Sequence, residues 1–335
     1  MSKATTRTRS TTVGLLVALI AALCFGASGA FSKPLLDSGW SPAAAVTFRA
    51  SIGGLVLAPF AAWSLRGRWV TLWRARWRII LMAAIGVAAT QLAYFSAIER
   101  IPVSTAVLLE YLCPLMLVIY VWIRSRRIPK VVVLVGSVIA VVGLVLVVAP
   151  DGHGGLDPVG LLFGGIAAVG CAVYFVVAAK PSEGLPPVAF ASAGLVLGGI
   201  LLGLVGLTRI VPFVVSTNDV TIRGTQLPFW VPLLIVCVFA TAIAYATSIL
   251  SSEILGSRLA SFMGLIEVVA AAVYAWVLLG QTLTLPQIGG GVLILIGIGF
   301  VRLEKADNVP LEPVPFTTEL DVVESQESAA TGSIK

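Results

Sequence analysis

Charge is what this sequence has least of. Only 11% of its 335 residues are charged while 58% are hydrophobic, too little polar surface to coat a soluble globule of this size. The lipid bilayer is the solvent that fits such a chain. Histidine is nearly missing: the one present, His153, lies in a glycine-rich stretch and reads as a solvated loop residue. No His-Glu-x-x-His and no Gly-x-x-x-x-Gly-Lys-Ser/Thr segment occurs, so zinc proteolysis and ATP hydrolysis lack the residues they need. Cysteine is scarce as well. Cys24, Cys113, Cys171 and Cys237 fall inside apolar runs without the paired spacing of a metal site, and read as buried thiols. Neither a metal nor a cofactor is expected, and any transport must run on gradients.

Long apolar runs are what the chain has in abundance. A span takes about 20 residues, and ten windows qualify: 12–31, 42–64, 78–98, 103–123, 131–148, 159–179, 187–210, 230–251, 258–279 and 287–303. Lys3, Arg7 and Arg9 ahead of the first window mimic a signal peptide, but that window is full length and others follow, so it reads as a mature helix. The formal charge of +6 sits mostly in short loops between apolar runs, a topology signal and not a nucleic-acid surface. With the amino terminus inside, 17 of the 22 Lys and Arg fall on the cytoplasmic side; Lys33, Arg100, Arg209 and Arg223 fall outside, and Arg49 lies within a span. Both termini are therefore expected in the cytoplasm, in a multi-pass protein of the inner (plasma) membrane. Residues 66–77, RGRWVTLWRARW, put Trp69, Leu72, Trp73 and Trp77 on one helical face among arginines, an interfacial anchor. Residues 304–335 are acidic, without apolar periodicity, and read as a disordered cytoplasmic tail.

The chain also matches itself. Val13-Gly14-Leu15-Leu16 aligns with Val159-Gly160-Leu161-Leu162, and Ile52-Gly53-Gly54-Leu55 with Leu197-Gly198-Gly199-Ile200. The register continues with Ala89-Thr90 over Ala240-Thr241, Ala93-Tyr94 over Ala244-Tyr245, and Gly136 with Gly143 over Gly290 with Gly297. Five spans per copy is an odd number, so the second copy enters the membrane the other way round. The expected fold is all-α and membrane-integral: ten transmembrane helices as two inverted five-helix repeats, 12–149 and 159–303, around a central cavity. Residues 1–11 form a cytoplasmic head and 150–158 an outer connection. Glycine-rich faces (Gly136 with Gly143, Gly160 with Gly164, and Gly289 to Gly291) read as close helix contacts.

This pattern resembles the EamA-like members of the drug/metabolite transporter superfamily over residues 12–303. The most family-like stretch is Leu265-Ile266-Glu267 leading through Tyr274-Ala275-Trp276-Val277-Leu278-Leu279-Gly280-Gln281-Thr282-Leu283, and its first-half partner is Tyr111-Leu112-Cys113-Pro114-Leu115. The sequence departs from the family's habit at Val268, where a proline is common, at Gln281, where a glutamate often follows the glycine, and at Arg126-Arg127 in the first half. The resemblance implies export or import of amino acids, related metabolites or drugs, a small-molecule substrate handled within the bilayer.

Ionisable groups at membrane depth cost about 2.5 to 3.5 kcal/mol at a helix centre, so each needs a partner or a purpose. Arg49 and Glu110 each lie seven residues into spans that start at the outer face, roughly 10 Å deep. They read either as a static ion-paired clamp or as the walls of a cavity binding the two ends of a zwitterion. Glu267, roughly 14 Å from the cytoplasmic face by count from Arg258, has no basic residue at its depth. It reads either as a proton-coupling carboxyl or as one hydrogen-bonded to a neighbouring helix. Ser257, Ser261, Gly264, Glu267, Ala271 and Tyr274 form a small polar stripe at helical spacing. Thr90, Gln91 and Tyr94 share one face, Thr241, Tyr245 and Ser248 another, and the repeat relates the two; they read as cavity walls or as packing. Glu99, Arg100 and Lys33 read as interfacial.

A gradient-driven carrier of a small amphipathic metabolite, working by alternating access, is the function these features point to. An uncoupled facilitator or exchanger and a drug efflux carrier stand beside it. A membrane-embedded enzyme would gather a nucleophile and base at one depth, and none is found; a sensor would signal through its tail. Deleting residues 306–335 is expected to leave transport rates in vesicles unchanged, whereas a sensor's output would disappear.

Overall fold

A computed structural model describes residues 2–113, 115, 116, 119, 122, 123, 131–148, 156–178 and 184–303, with the side chains of 2–11, 147, 148, 175, 178, 252, 253, 255–262, 265, 298 and 301–303 outside the description. His153, Arg126-Arg127, the tail 304–335 and the side chains of Ser257 and Ser261 therefore lie outside it.

Helices carry the described chain: α1 (Ser2–Asp37), α2 (Pro42–Leu65), short α3 (Val70–Arg74), α4 (Arg76–Arg100), α5 (Val103–Glu110), α6 (Val131–Val148), α7 (Pro158–Ala178) and α8 (Pro187–Leu207). After a hairpin, α9 runs through Trp230–Leu234, Ile235–Ile243 and Ala244–Met263, followed by α10 (Leu265–Leu279) and α11 (Leu285–Leu303). Five of the described helices are long and apolar enough to cross a membrane: Thr12–Asp37, Pro42–Leu65, Arg76–Arg100, Pro187–Leu207 and Trp230–Ser251. Val131–Leu146, Pro158–Tyr174, Ile266–Leu279 and Leu285–Gly297 are shorter apolar helices.

The boundaries follow local chemistry. Ser41 accepts the Ala44 N–H and Pro42 occupies the first turn, which starts α2. Gly280, at φ 70°, ends α10 in the left-handed conformation that glycine adopts without strain. Thr284 and Gln287 cap each other reciprocally at the start of α11. Asp157 accepts from the Val159 N–H and from Arg100, in that order of effect, which holds its carboxyl below the usual range and ties the end of α4 to the start of α7.

Three expectations need correction. The window 103–123 is not one helix: α5 stops at Glu110 and Tyr111-Leu112 form a turn. Pro114, two residues further on, lies outside the described residues. The window 258–279 is not one helix either, because the backbone turns at Gly264 between α9 and α10. The fold is not purely α: β1 (Val220–Ile222) and β2 (Thr225–Leu227) pair antiparallel around Arg223-Gly224, both at positive φ, as a two-residue hairpin turn requires. A feature with no counterpart in the sequence reading is that α4 and α9 are wound as π-helix over Met82–Ala89 and Ile235–Ile243.

Packing is tightest where side chains are smallest. Helix α2 lies along α8, with Gly54 against Val196 and Gly199 against Ser51. Helix α6 lies along α11, with Gly143 against the Gly290 carbonyl and Gly297 against the Gly136 carbonyl. Helix α1 packs on α9 and α10, and α7 on α4 and α5. Side chains directed away from these contacts, among them Leu55, Phe60, Leu162 and Leu204, are themselves apolar and exposed. A Cβ at Gly297 would sit 2.5 Å from the Gly136 carbonyl oxygen and 2.6 Å from the Ala140 nitrogen, both backbone atoms that cannot swing away. Gly297→Ala should therefore destabilise by about 1 to 3 kcal/mol through overpacking. Gly289→Ala, with open space around it, should be neutral or stabilising by about 0.5 to 1 kcal/mol. Thermal unfolding midpoints of the purified variants in detergent check both.

Candidate functional site

Arg49 lies on α2, seven residues from its start, and is only 2% exposed. Its Nε donates to Thr241 Oγ1 at 2.9 Å, and Nη1 donates to Ser28 Oγ at 2.8 Å and Gln91 Oε1 at 2.7 Å. Nη2 donates to the Ala240 carbonyl at 3.1 Å, and the guanidinium carbon stands 5.2 Å from the centroid of the Phe95 ring. Helices α1, α4 and α9 thus supply neutral acceptors to one buried cation. A guanidinium has five N–H groups. Four of Arg49's are used, and among the described residues one on Nη2 has no acceptor.

The expected Arg49–Glu110 ion pair is not formed: no ion pair within 4 Å joins them, and the ion pairs among the described residues are Lys33–Asp37 and Arg100–Asp157. Glu110 is the last residue of α5 and half-buried. Glu267 lies in the first turn of α10, also half-buried, where a helix N-terminus favours a carboxylate. Its Oε2 accepts a 2.6 Å hydrogen bond from the Tyr111 hydroxyl. The count from Arg258 that set its depth fails at the Gly264 turn, but a second marker stands in for it: a Cβ on Gly26, near the middle of Thr12–Asp37, would lie 3.1 Å from the Glu267 carbonyl.

Arg49, Tyr94, Glu110, Tyr245 and Glu267 lie within electrostatic reach of one another and form a single cluster. Tyr94 is buried with its hydroxyl toward Gly29. The Tyr245 ring makes edge contacts with Phe25 at 5.1 Å and with Tyr174 at 6.3 Å. Cys171 and Cys113 are neighbours at the margin of the cluster, and all four cysteines are free thiols.

Of the residues singled out from sequence, Arg49, Gln91, Tyr94, Glu110, Thr241, Tyr245 and Glu267 come together. Thr90 does not join them: its hydroxyl donates to the Ile85 carbonyl at 2.7 Å and faces Gly170 of α7. That bond back to the Ile85 carbonyl, within the preceding π-wound turn, is what holds the Thr90 hydroxyl on its own helix. Ser248 is half-buried on α9, and its carbonyl accepts from Ser251 Oγ at 2.8 Å. The side chain of Ser261 is outside the description.

Sequence reasoning missed Ser28, Phe95, the Ala240 carbonyl and the role of Tyr111. Ser28, in a run of small residues inside a span, was a legible polar signal; a backbone carbonyl has none. It also missed the use of Gln281, whose side chain accepts the Val103 N–H at 3.2 Å and so caps α5 from the far side of the bundle. Thr90 and Thr241 each donate to a carbonyl five residues back, Ile85 and Val236, at the ends of the two π-wound segments.

The model of the EamA-like transporter family matches residues 12–149 and again 158–303. The uncharacterized inner membrane transporter YicL of Salmonella typhimurium (strain LT2) is 24% identical over 315 residues, covering 88% of this chain and 97% of that protein. An uncharacterized transporter of Archaeoglobus fulgidus is 24% identical over 223 residues, 66% of this chain and 75% of that one. A protein of known crystal structure superposes with a TM-score of 0.57 over 86% of this chain and 96% of its own, at 20% identity, a likeness of fold alone.

Replacing Arg49 with Lys keeps the charge but removes the planar fork, and three ammonium N–H groups leave at least one of the four buried acceptors stranded. Arg49→Lys should lose about 2 kcal/mol or more, and Thr241→Val, which removes one acceptor and leaves Nε unpaired, about 1 to 3 kcal/mol. Denaturation of the purified variants in detergent measures both.

Proposed function

Because this chain belongs to the EamA-like transporter family, we propose that it is a gradient-driven exporter of a small amphipathic metabolite such as an amino acid, working by alternating access in the inner (plasma) membrane. It is a multi-pass membrane transporter, and both termini are assigned to the cytoplasm by the distribution of its basic residues. The two halves are read as inverted five-helix repeats. Support comes from the two separate family matches and from packing that repeats when the halves are exchanged: α1 on α9 and α10 in one sense, α7 on α4 and α5 in the other.

One observation carries the substrate site: Arg49, Glu110 and Glu267 are gathered with Tyr94 and Tyr245 where residues of both halves meet. The helices that bear the two carboxyls end or begin within the bundle, at Glu110 and at Gly264. In transporters, interrupted helices at mid-membrane are where polar backbone and charge meet a substrate. A zwitterion suits this cluster. Its carboxylate takes the remaining Nη2 N–H of Arg49, its ammonium the Glu110 carboxylate, and its apolar part the tyrosine faces. Glu267, bonded across the halves to Tyr111, takes up and releases the coupling proton as that contact opens and closes.

The same bond favours a second reading. A carboxyl held by a 2.6 Å hydrogen bond serves equally as a fixed strut, and the carrier is then an uncoupled facilitator or exchanger. Uptake of a labelled amino-acid pool into proteoliposomes separates the two. A gradient of about one pH unit stores about 1.4 kcal/mol per proton, enough for about tenfold accumulation. Coupled transport should show gradient-driven accumulation in the wild type and only equilibration in Glu267→Gln. A response to the gradient that is the same in Glu267→Gln assigns Glu267 a structural role, and no uptake above empty liposomes removes amino acids as the substrate class.

A further inference from the structure

Helix α2 gives way to α4 through a short surface segment with two contrasting faces. Inward, Leu72 and Ala75 pack on a cluster formed by Ala61, Leu65, Ile79 and Met82 together with Val177, Leu185, Ala189 and Phe190 from the second half. Arg78 also turns inward, donating to the Val177 carbonyl at 3.1 Å with its guanidinium 4.4 Å from the Phe190 ring centroid. Outward stand four tryptophans, with Trp63 67%, Trp73 70% and Trp77 70% exposed and Trp69 beside them. Arg66, Arg68, Arg74 and Arg76 are exposed among them. Arg66 stacks on Trp63 at 4.7 Å, and Arg76 lies 5.1 Å from Trp73 and 5.8 Å from Trp77.

No Asp or Glu occurs between Asp37 and Glu99, and none of these four arginines belongs to an ion pair among the described residues. Four exposed cations, two of them (Arg66 and Arg76) held against indole rings and none with a carboxylate partner among the described residues, form a surface that is complementary to anionic headgroups at the depth where tryptophan resides in a bilayer.

We propose that this face, from Trp63 to Trp77, is a binding surface for anionic phospholipid. The indoles enter the headgroup region and the arginines take phosphate oxygens with the N–H groups left over from their backbone bonds, Arg76 Nη1 to the Trp73 carbonyl and Arg68 Nη2 to the Ser64 carbonyl, with a planar fork that lysine lacks. Stacking fixes the guanidiniums in advance, so less side-chain freedom is lost when lipid binds. Because Leu72 and Ala75 rest on residues of both halves, lipid held here also steadies the junction of α2, α4 and α8.

The full chain is reconstituted into phosphatidylcholine vesicles that contain, at equal mole fraction, either brominated phosphatidylglycerol or brominated phosphatidylcholine, and tryptophan quenching is read. The wild type should enrich the anionic quencher at least about fivefold, the gain expected for each arginine near a charged surface. Arg66→Gln, Arg74→Gln and Arg76→Gln combined should erase that preference, whereas Arg209→Gln should keep it. Should the triple variant fail to insert, the wild type in about 1 M salt, where screening acts within about 3 Å, provides the same test and should lose most of the preference. Equal quenching by the two lipids in the wild type, or a preference that survives both the triple substitution and high salt, overturns the proposal.

Discussion

A guanidinium cannot be left bare inside a bilayer, and the way Arg49 is satisfied constrains the helices around it. Its partners are not carboxylates but two hydroxyls, an amide and a backbone carbonyl, contributed by α1, α4 and α9. Each acceptor must lie within about 3 Å of a planar, rigid fork, so three helices are positioned relative to α2 by one side chain. The approach needed for this is possible only because α2 is bare where α9 arrives: Gly53 faces the Thr241 side chain and the Cys237 carbonyl. Thr241 in turn is held by its own bond to the Val236 carbonyl, at the end of the π-wound segment. Removing Arg49 would leave Thr241, Gln91, Ser28 and Ala240 with unmet acceptors in a medium that offers no water.

Elsewhere the bundle is held by closeness. Lipid tails are as apolar as leucine, so helices in a membrane gain little from hiding apolar surface and associate through van der Waals contact and interhelical hydrogen bonds. The glycine pairs answer that demand. Gly143 and Gly297 bring α6 and α11 into backbone contact, and Gly54 and Gly199 do the same for α2 and α8, where Ser192 Oγ also donates to the Gly54 carbonyl at 2.9 Å. Bulky apolar residues such as Leu55, Phe60, Leu162 and Leu204 also point outward, where a soluble protein places polar ones.

These glycines were legible in the sequence because repetition marks them: the alignment of Gly136 and Gly143 with Gly290 and Gly297 is met by contacts of Gly143 with Gly290 and of Gly297 with Gly136. Arg49, Glu110 and Glu267 were legible because charge is rare in apolar runs. What was not legible falls into two kinds. Pairings such as Arg49 with Thr241 or Tyr111 with Glu267 join residues more than 150 positions apart, and no periodicity encodes them. Local departures from regular winding, such as the π segments and the Gly264 turn, leave composition unchanged while rotating every later side chain. That is why the depth of Glu267 was counted along a helix that is not continuous. The hairpin at 220–227 is too short for alternation to stand out, although Arg223-Gly224 marks its turn.

The same register that pairs the glycines also shows where the halves differ. Arg49 falls over Gly194, Glu110 over Gly264, and Glu267 over Cys113. None of the three charged groups has a charged counterpart, so a scaffold with matched helices carries a site with unmatched chemistry. On the proposed inverted-repeat reading, exchanging the conformations of the two halves would therefore not reproduce the present contacts in mirror form. Arg49 would have to leave Thr241 and Ala240, and Gly194, whose nearest neighbour is the Met82 side chain, offers no guanidinium to Thr90 in exchange. The hydrogen bonds of Arg49 thus weight the balance toward the arrangement described here. A substrate carboxylate that competes for the guanidinium is the kind of ligand that would shift it, because it stabilises the arrangement in which those bonds are broken.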